Sequence, residues 1–225
     1  NVASRIDFRA KKTCYAYDTT RNLETTRVEG ATSAENCATV LATPPNRPDV
    51  RKVTTTWHAT WRLPATITEP APGGTKTTTF TYDASGNLIQ KSIVAPKNEG
   101  SGTTITRTWS WTYGTLGRVL TATDPNGKVT TTTWHSDTDP DLGKRGQVAT
   151  MTNPLGHVTQ YTAYDLGNRV ASMTDPNGLV ATMTYDLRGR LTSRNVGGET
   201  TIYEYDPAGQ LTDVELPDGA TLHYI

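Results

Sequence analysis

Between Tyr164 and Gly219 the chain says nearly the same thing three times, and an internal repeat of this length constrains the fold before any other feature does. Its repeat tyrosines stand at 164, 185 and 205, and the next follows at 224, with spacings of 21, 20 and 19. Each unit holds two short runs rich in Thr, Val, Leu and Tyr. The runs are separated by a Tyr-Asp-x-x-Gly stretch on one side and an Asp-Pro-Asn-Gly-like stretch on the other. Strand-forming runs between two turn signals predict one β-hairpin per repeat.

A fixed ruler extends the pattern upstream. The tyrosine is followed six residues later by an aliphatic residue, from Tyr164 to Val170, Tyr185 to Leu191 and Tyr205 to Leu211, and likewise from Tyr17 to Leu23, Tyr82 to Leu88 and Tyr113 to Val119. Trp57-His58 keeps the spacing to Leu63, and Trp134-His135 reads as an eighth copy whose turn is enlarged before Gly146-Gln147-Val148. Gly86, Gly117, Gly189 and Gly209, with Asn168, occupy the fifth position, where a tight reversal calls for φ > 0. Asp18, Asp83, Asp165, Asp186 and Asp206 follow their tyrosines and are placed to cap the turn by accepting a nearby N–H. Arg21 and Trp61 stand where glycine is expected, and Gly114 follows Tyr113 in place of aspartate.

The strands alternate with a period of two. Thr78, Phe80 and Tyr82 share a face, as do Arg107, Trp109, Trp111 and Tyr113, opposite Thr106, Thr108, Ser110 and Thr112. Leu179, Ala181, Met183 and Tyr185 do the same, as do Tyr203 and Tyr205. The expectation is a sheet with one aromatic and one hydroxyl-rich side. Residues 1–56 are irregular, with one repeat and an insertion in which Ser33 is a candidate N-cap for a helical turn and Pro44, Pro45 and Pro48 form a stiff connector. Residues 57–128 carry longer-spaced repeats, including a loop from Pro96 to Gly102, and residues 129–225 are regular. Cys14 and Cys37 are the only cysteines, and they read either as one disulfide or as two buried thiols.

The fold class expected is all-β: consecutive antiparallel hairpins forming a wide, twisted, curved sheet. Low apolar content, 34%, favours an extended architecture over a packed globule. With 22 basic and 22 acidic residues there is no basic patch for nucleic acid and no polybasic membrane surface. No apolar run approaches the roughly 20 residues that span a bilayer, and the first residues have no signal-peptide pattern. The pattern runs through both ends, so the chain is expected to be a piece of a longer protein.

The YDxxGRL and DPNG periodicity resembles the Rhs, or YD-repeat, family of bacterial proteins, with similar repeats in toxin-complex shells and teneurins. Matching motifs run from Tyr15 to Tyr224. The resemblance implies that the sheet is a segment of a spiral β-shell. It further implies that neighbouring repeats and an enclosed C-terminal toxin are the partners, and that the parent protein is secreted or surface-associated through a specialised secretion system. Asp175-Pro-Asn-Gly-Leu179 faintly resembles the DPxGL motif at which Rhs proteins release their toxin, but Val180-Ala181-Thr182 follows it and another repeat comes after.

Catalytic chemistry finds no constellation. The repeated aspartates recur at one place in every hairpin, as turn caps do, whereas acid–base catalysis needs one pair in unlike environments. Asp124, Asp175 and Asn153 read as turn residues as well. His58, His135, His157 and His223 lack metal-ligand spacing, and no phosphate loop or nucleophile elbow occurs. Asp137, Asp139 and Asp141 form the one weak calcium candidate; Leu142 and Val148 occupy the loop positions where an EF-hand needs Gly and Glu, which favours an exposed acidic loop. No enzyme activity and no cofactor are expected. Trp57, Trp61, Trp109 and Trp111 leave a second reading open, a surface adhesion or carbohydrate-binding module.

Overall fold

The structure, a computed structural model, describes residues 2–97 and 102–224. Residues 98–101 of the expected Pro96–Gly102 loop lie outside the described residues. The fold is all-β, eighteen strands and one short helix among the described residues, and its contacts divide it into two units. The first comprises Asn1–Arg118 and Ala122–Gly127, and the second Val119–Thr121 and Lys128–Ile225.

In the first unit β1 (Ser4–Ile6), β2 (Lys11–Asp18), β3 (Leu23–Thr32), β4 (Arg51–Trp57), β5 (Pro64–Ala71), β6 (Gly74–Tyr82), β7 (Leu88–Pro96) and β8 (Thr104–Tyr113) follow one another. Each pairs antiparallel with the next, a plain meander. After β9 (Val119–Thr123), the second unit repeats the scheme. It runs through β10 (Val129–Trp134), β11 (Val148–Thr152), β12 (Val158–Tyr164), β13 (Val170–Thr174), β14 (Val180–Tyr185), β15 (Leu191–Val196), β16 (Glu199–Tyr205), β17 (Leu211–Glu215) and β18 (Thr221–His223), again paired antiparallel in chain order.

Register lines the threonines up. In the first unit Thr56, Thr66, Thr79, Ser92 and Thr108 are successive cross-strand partners, and Thr26, Thr54, Thr68 and Thr77 form a parallel row. Neighbouring hydroxyls bond each other, Thr56 to Thr66 at 2.7 Å and Ser92 to Thr108 at 3.3 Å. Such cross-strand hydroxyl pairs suit a solvated sheet face. The opposite face carries Thr55, Ile67, Thr78 and Ile93 in one row and Phe80, Lys91 and Trp109 in the next.

Burial is sparse because nearly all of the sheet is one layer. Among the described residues the buried apolar ones are Cys14, Leu23, Val28, Ala31, Val40, Val53, Ala181 and Val214, and the cluster they form lies in the first unit. There α1 (Cys37–Ala42) packs on β2 and β3, joining Cys14, Val28, Ala31 and Val40. Its N-cap is Asn36 rather than Ser33: the Asn36 side chain accepts from Ala38 N–H at 2.9 Å and Thr39 N–H at 3.4 Å. Ser33 sits one turn too early, in a bend whose Glu35 side chain accepts the Thr32 N–H instead. Cys14 and Cys37 are joined by a disulfide with Cα atoms 5.3 Å apart, which decides between the two readings of the cysteines.

Candidate functional site

The candidate site is the row of Tyr-Asp turns, because every residue type that the repeat insists on converges there. In the Tyr185 turn, Asp186 N–H donates to Arg190 C=O at 2.9 Å and Gly189 N–H donates back to Asp186 C=O at 2.9 Å. Asp186 Oδ1 accepts the Arg188 and Arg190 amides, both at 2.9 Å. Asp165 accepts from Gly167 and Arg169 in the same way, Asp83 from Ser85 and Asn87, and Asp206 from Gln210. A carboxylate holding two amides closes a turn that would otherwise leave both donors to water. Gly86, Gly117, Gly189 and Gly209 and the non-glycine Asn168 all have positive φ.

The Asp-Pro-Asn-Gly turns at the other end of the hairpins have the same hydrogen bonds. Asp175 accepts the Asn177 and Leu179 amides, and Asn153 accepts those of Leu155 and His157. What distinguishes the Tyr-Asp end is the aromatic residue before the cap. Tyr185 Oη donates to Val170 C=O at 2.8 Å, Tyr205 to Leu191 C=O at 2.9 Å and Tyr164 to Val148 C=O at 2.8 Å. In the first unit Tyr82 reaches Pro64 C=O at 2.9 Å, Tyr113 reaches Leu88 C=O at 2.7 Å and Tyr17 reaches Val2 C=O at 3.1 Å. The two tryptophan copies substitute an indole N–H for the phenol: Trp57 Nε1 donates to Glu24 C=O at 2.8 Å and Trp134 Nε1 to Val119 C=O at 2.9 Å. Each motif aromatic therefore latches onto backbone of the preceding hairpin, for the most part where the strand leaves the preceding turn. Burial pushes the Tyr82, Tyr113, Tyr164 and Tyr185 phenols up, so they remain protonated donors at neutral pH.

A third tie uses arginine. Arg169 Nε donates to Asp165 Oδ2 at 2.7 Å, and its guanidinium lies 4.7 Å from the centre of the next motif ring, Tyr185. Arg190 repeats this with Asp186 at 2.7 Å and the Tyr205 ring at 4.4 Å. The arginine hydrogen bond leads in lowering the Asp165 pKa, and the Arg190 backbone N–H leads at Asp186. Asp83 is also lowered, first by the Asn87 side chain, which donates to its Oδ2 at 2.9 Å from the arginine position. Carboxylates held ionised by two amides and a donor side chain are suited to fastening, not to giving up protons near neutrality.

Three turns depart from the ruler, each for a visible reason. At Tyr17 the left-handed residue is Asn22, not Arg21, and Tyr17 pairs with Glu24, because Asp18 joins the ladder opposite Leu23 and the loop shortens to residues 19–22. Arg21 instead donates to His58 C=O and Trp61 C=O of the next turn, both at 2.7 Å. Trp57 pairs with Pro64, one residue beyond the expected Leu63, and no residue between them has positive φ. There His58 takes the aspartate role, its Nδ1 accepting from Thr60 at 3.1 Å and Trp61 at 3.2 Å, while Trp61 stacks on His58. At Tyr113 no side chain caps the short 3-10 turn Thr115–Gly117, and Leu116 joins Gly117 at positive φ. Leu179 lies just before β14 and is 45% exposed, where Ala181 two residues on is buried.

In the acidic loop Asp139 Oδ1 accepts the Asp141 N–H at 2.9 Å and Asp141 Oδ1 accepts the Gly143 N–H at 3.0 Å. Arg145 Nε donates to Asp139 C=O at 2.7 Å, and His135 Nε2 lies 2.9 Å from Tyr161 C=O. These carboxylates are used on backbone amides, and no group of three or more potential metal ligands gathers among the described residues. No helix among the described residues is long and apolar enough to cross a membrane.

The arrangement defines a class, a repeat protein made of latched antiparallel hairpins. Residues 144–182, 164–200 and 185–221 each match the RHS Repeat family, so the stretch 144–221 is similar to repeats of that family. No curated protein sequence matches it. Among solved structures, TcdB2-TccC3-TEV agrees over 95% of this chain with a TM-score of 0.67 at 13% identity. TcdB2-TccC3 without its hypervariable C-terminal region agrees over 95% with a TM-score of 0.66 at 13% identity. A Photorhabdus luminescens Tc holotoxin pore agrees over 96% with a TM-score of 0.55 at 13% identity. At this identity the likeness is one of fold. The chain spans about a tenth of those proteins, 11%, 11% and 12% of their respective lengths.

Proposed function

We propose that the chain is a length of wall in a larger Rhs-type shell that encloses a C-terminal toxin or effector domain for secretion and interbacterial competition. The observation that carries this reading is the recurrence of one fastening, turn cap plus aromatic latch, from hairpin to hairpin in both units. A sheet extended by identical joints can grow to any width without a core, which is what a wall needs. The agreement with TcdB2-TccC3 over most of the chain, retained without that protein's hypervariable C-terminal region, supports it. On this reading the partners are the neighbouring repeats and the enclosed domain, the chain is not an enzyme, and the parent protein acts outside the cell through a specialised secretion system.

The test is limited proteolysis of the parent protein carrying its C-terminal domain, against a version lacking residues 129–224. Shielding predicts that the deletion exposes the C-terminal domain to protease. Equal protease sensitivity and equal toxicity in the two proteins would overturn the wall.

A further inference from the structure

The eighteen residues between Thr32 and Arg51 join two paired strands that a tight turn could have joined, and they lie on the sheet as a strap. The helix in the strap, α1, has six residues, too few to persist alone in water. Side chains tie it down. Val40, 2% exposed, sits against Cys14, Val28 and Ala31; Lys12 Nζ donates to Glu35 C=O at 2.7 Å and Lys52 Nζ to Leu41 C=O at 3.3 Å. Arg47 pairs with Glu35 at 2.8 Å and donates to Gly30 C=O at 3.2 Å. Gly30 has a φ of +83°, and the Asp49 carbonyl occupies the space a Cβ would need, so the returning leg seats directly on β3. One tie is covalent, the Cys14–Cys37 disulfide.

We infer that this disulfide is a thiol-sensitive clasp. Closed, it holds the strap over the patch formed by Cys14, Val28 and Ala31; opened, the strap lifts and uncovers that patch while the sheet beneath stays paired. The sheet does not depend on the strap: β2 and β3 pair from Lys11 with Thr32 to Asp18 with Leu23, and β3 and β4 from Glu29 with Arg51 to Thr26 with Thr54. The strap does depend on the clasp, since its remaining ties are Val40 with the partly buried Leu41 and Val50, a helix cap and part-exposed polar contacts, set against the entropy of ordering eighteen residues. The two sulfurs also differ in access. Cys14 is fully buried and Cys37 is half-buried on the outer side.

The chemistry follows from that asymmetry. A small thiol, as its thiolate, attacks Cys37 Sγ; the S–S bond breaks, Cys14 leaves as a thiolate and takes up a proton, and a mixed disulfide remains on Cys37. A second small thiol attacks the mixed disulfide, the small molecule leaves as its own disulfide, and Cys37 becomes a thiol. Two electrons pass from the two small thiols to the clasp. A reducing compartment opens it and an oxidising one closes it. This holds whether or not the chain belongs to an enclosing wall.

Hydrogen exchange read by mass spectrometry tests the clasp on three samples: the oxidised chain, the same chain in excess dithiothreitol, and a Cys14→Ser/Cys37→Ser variant without reductant. Amides of residues 37–43 are expected to exchange about tenfold faster or more in the second and third samples, with β2–β4 and residues 129–224 unchanged. Reoxidation restores the slow exchange. Two titratable thiols in the unreduced, denatured chain, or equal exchange before and after reduction, would overturn the clasp. So would loss of protection throughout β2–β4, which would make the bond a staple of the sheet and not a catch on the strap. The reduced wild-type sample decides between these outcomes even if the variant does not fold.

Discussion

The strap-bearing region of the first unit and the regular ladder of residues 129–224 hold a single-layer sheet in two different ways. At β2, β3 and α1 the sheet is covered, and Cys14, Val28 and Ala31 reach 0% exposure. In the ladder the buried apolar side chains among the described residues are Ala181 and Val214, at 7% each, and they form no cluster. The work that burial does in the first region falls to fixed joints in the second: Asp165 and Asp186 close turns, Tyr164, Tyr185 and Tyr205 latch hairpins, and Arg169 and Arg190 bind each turn to the next ring. A covered sheet draws its stability from area removed from water and cannot repeat without repeating its cover. A fastened sheet gains it locally at each hairpin and can repeat indefinitely, in the manner of solenoids whose stability is a sum of nearest-neighbour terms.

The comparison breaks most sharply at the disulfide. Removing it in a Cys14→Ala/Cys37→Ala variant is expected to cost about 3 kcal/mol for a loop of this length, and the loss should be confined to the strap, residues 33–50, with β2–β4 and the ladder unchanged. Denaturant unfolding followed by exchange in separate peptides would show it. An equal loss in residues 129–224 would mean that the two regions do not differ as described.

Next comes Gly189. Its φ is +86°, and an added Cβ would lie 2.5 Å from Arg169 Nη1, so valine there meets both backbone strain and the guanidinium that ties two turns. The expected cost is about 2 kcal/mol. At Gly178, φ +85° with nothing within 4 Å of a Cβ, valine meets the strain alone and should cost about 1 kcal/mol. Equal melting temperatures for the two variants would show that the arginine tie contributes nothing. Smaller again is Tyr185→Phe, which keeps the ring under Arg169 but leaves Val170 C=O without its donor; about 1 kcal/mol is expected. A Tyr→Phe change that leaves the urea midpoint unmoved would reduce the latch to packing.

Much of this architecture was legible in the sequence because turns are local. The cap, the residue two positions on that donates to it and the left-handed residue all lie within five positions, so a six-residue spacing in one dimension maps onto one turn in three. The latch was not legible, since the acceptor of the Tyr185 phenol is a main-chain carbonyl 15 residues upstream, and main-chain carbonyls carry no residue signature. A signal did exist: Trp57 and Trp134 keep a donor hydrogen at the tyrosine position, and phenylalanine never appears there. Arg169 and Arg190 were visible as letters of the motif, but their reach to the next ring depends on register between hairpins. The Ser33 cap failed because Asn36 competes for the same helix three residues later. The shared geometry of the two turn types was hidden by their different second residues, Pro in one and variable in the other.

Acid should separate the two regions by the smallest margin. Asp165 and Asp186 have lowered pKa values in the fold, so the stability they contribute is complete above the ordinary aspartate range of about 4 and is lost as pH falls through their folded values. The strap's Glu35 is lowered to about 2, first by the Arg47 hydrogen bond, so its tie survives until pH approaches 2, and the disulfide beside it does not titrate. As pH falls below about 4 the ladder should therefore loosen progressively, while residues 33–50, held by a disulfide that does not titrate, stay protected. These groups are exposed and screened, so the change is a rise in local opening and not unfolding. Hydrogen exchange at pH 2.5 and pH 7, corrected for intrinsic rates, would read it. An Asp165→Asn/Asp186→Asn variant supplies the control, because an amide oxygen still accepts the two backbone N–H groups but carries no charge to lose. Its ladder should open alike at both pH values. If that variant keeps the acid sensitivity of the wild type, the carboxylates act only as acceptors, and the ladder's joints are hydrogen bonds whose charge contributes nothing.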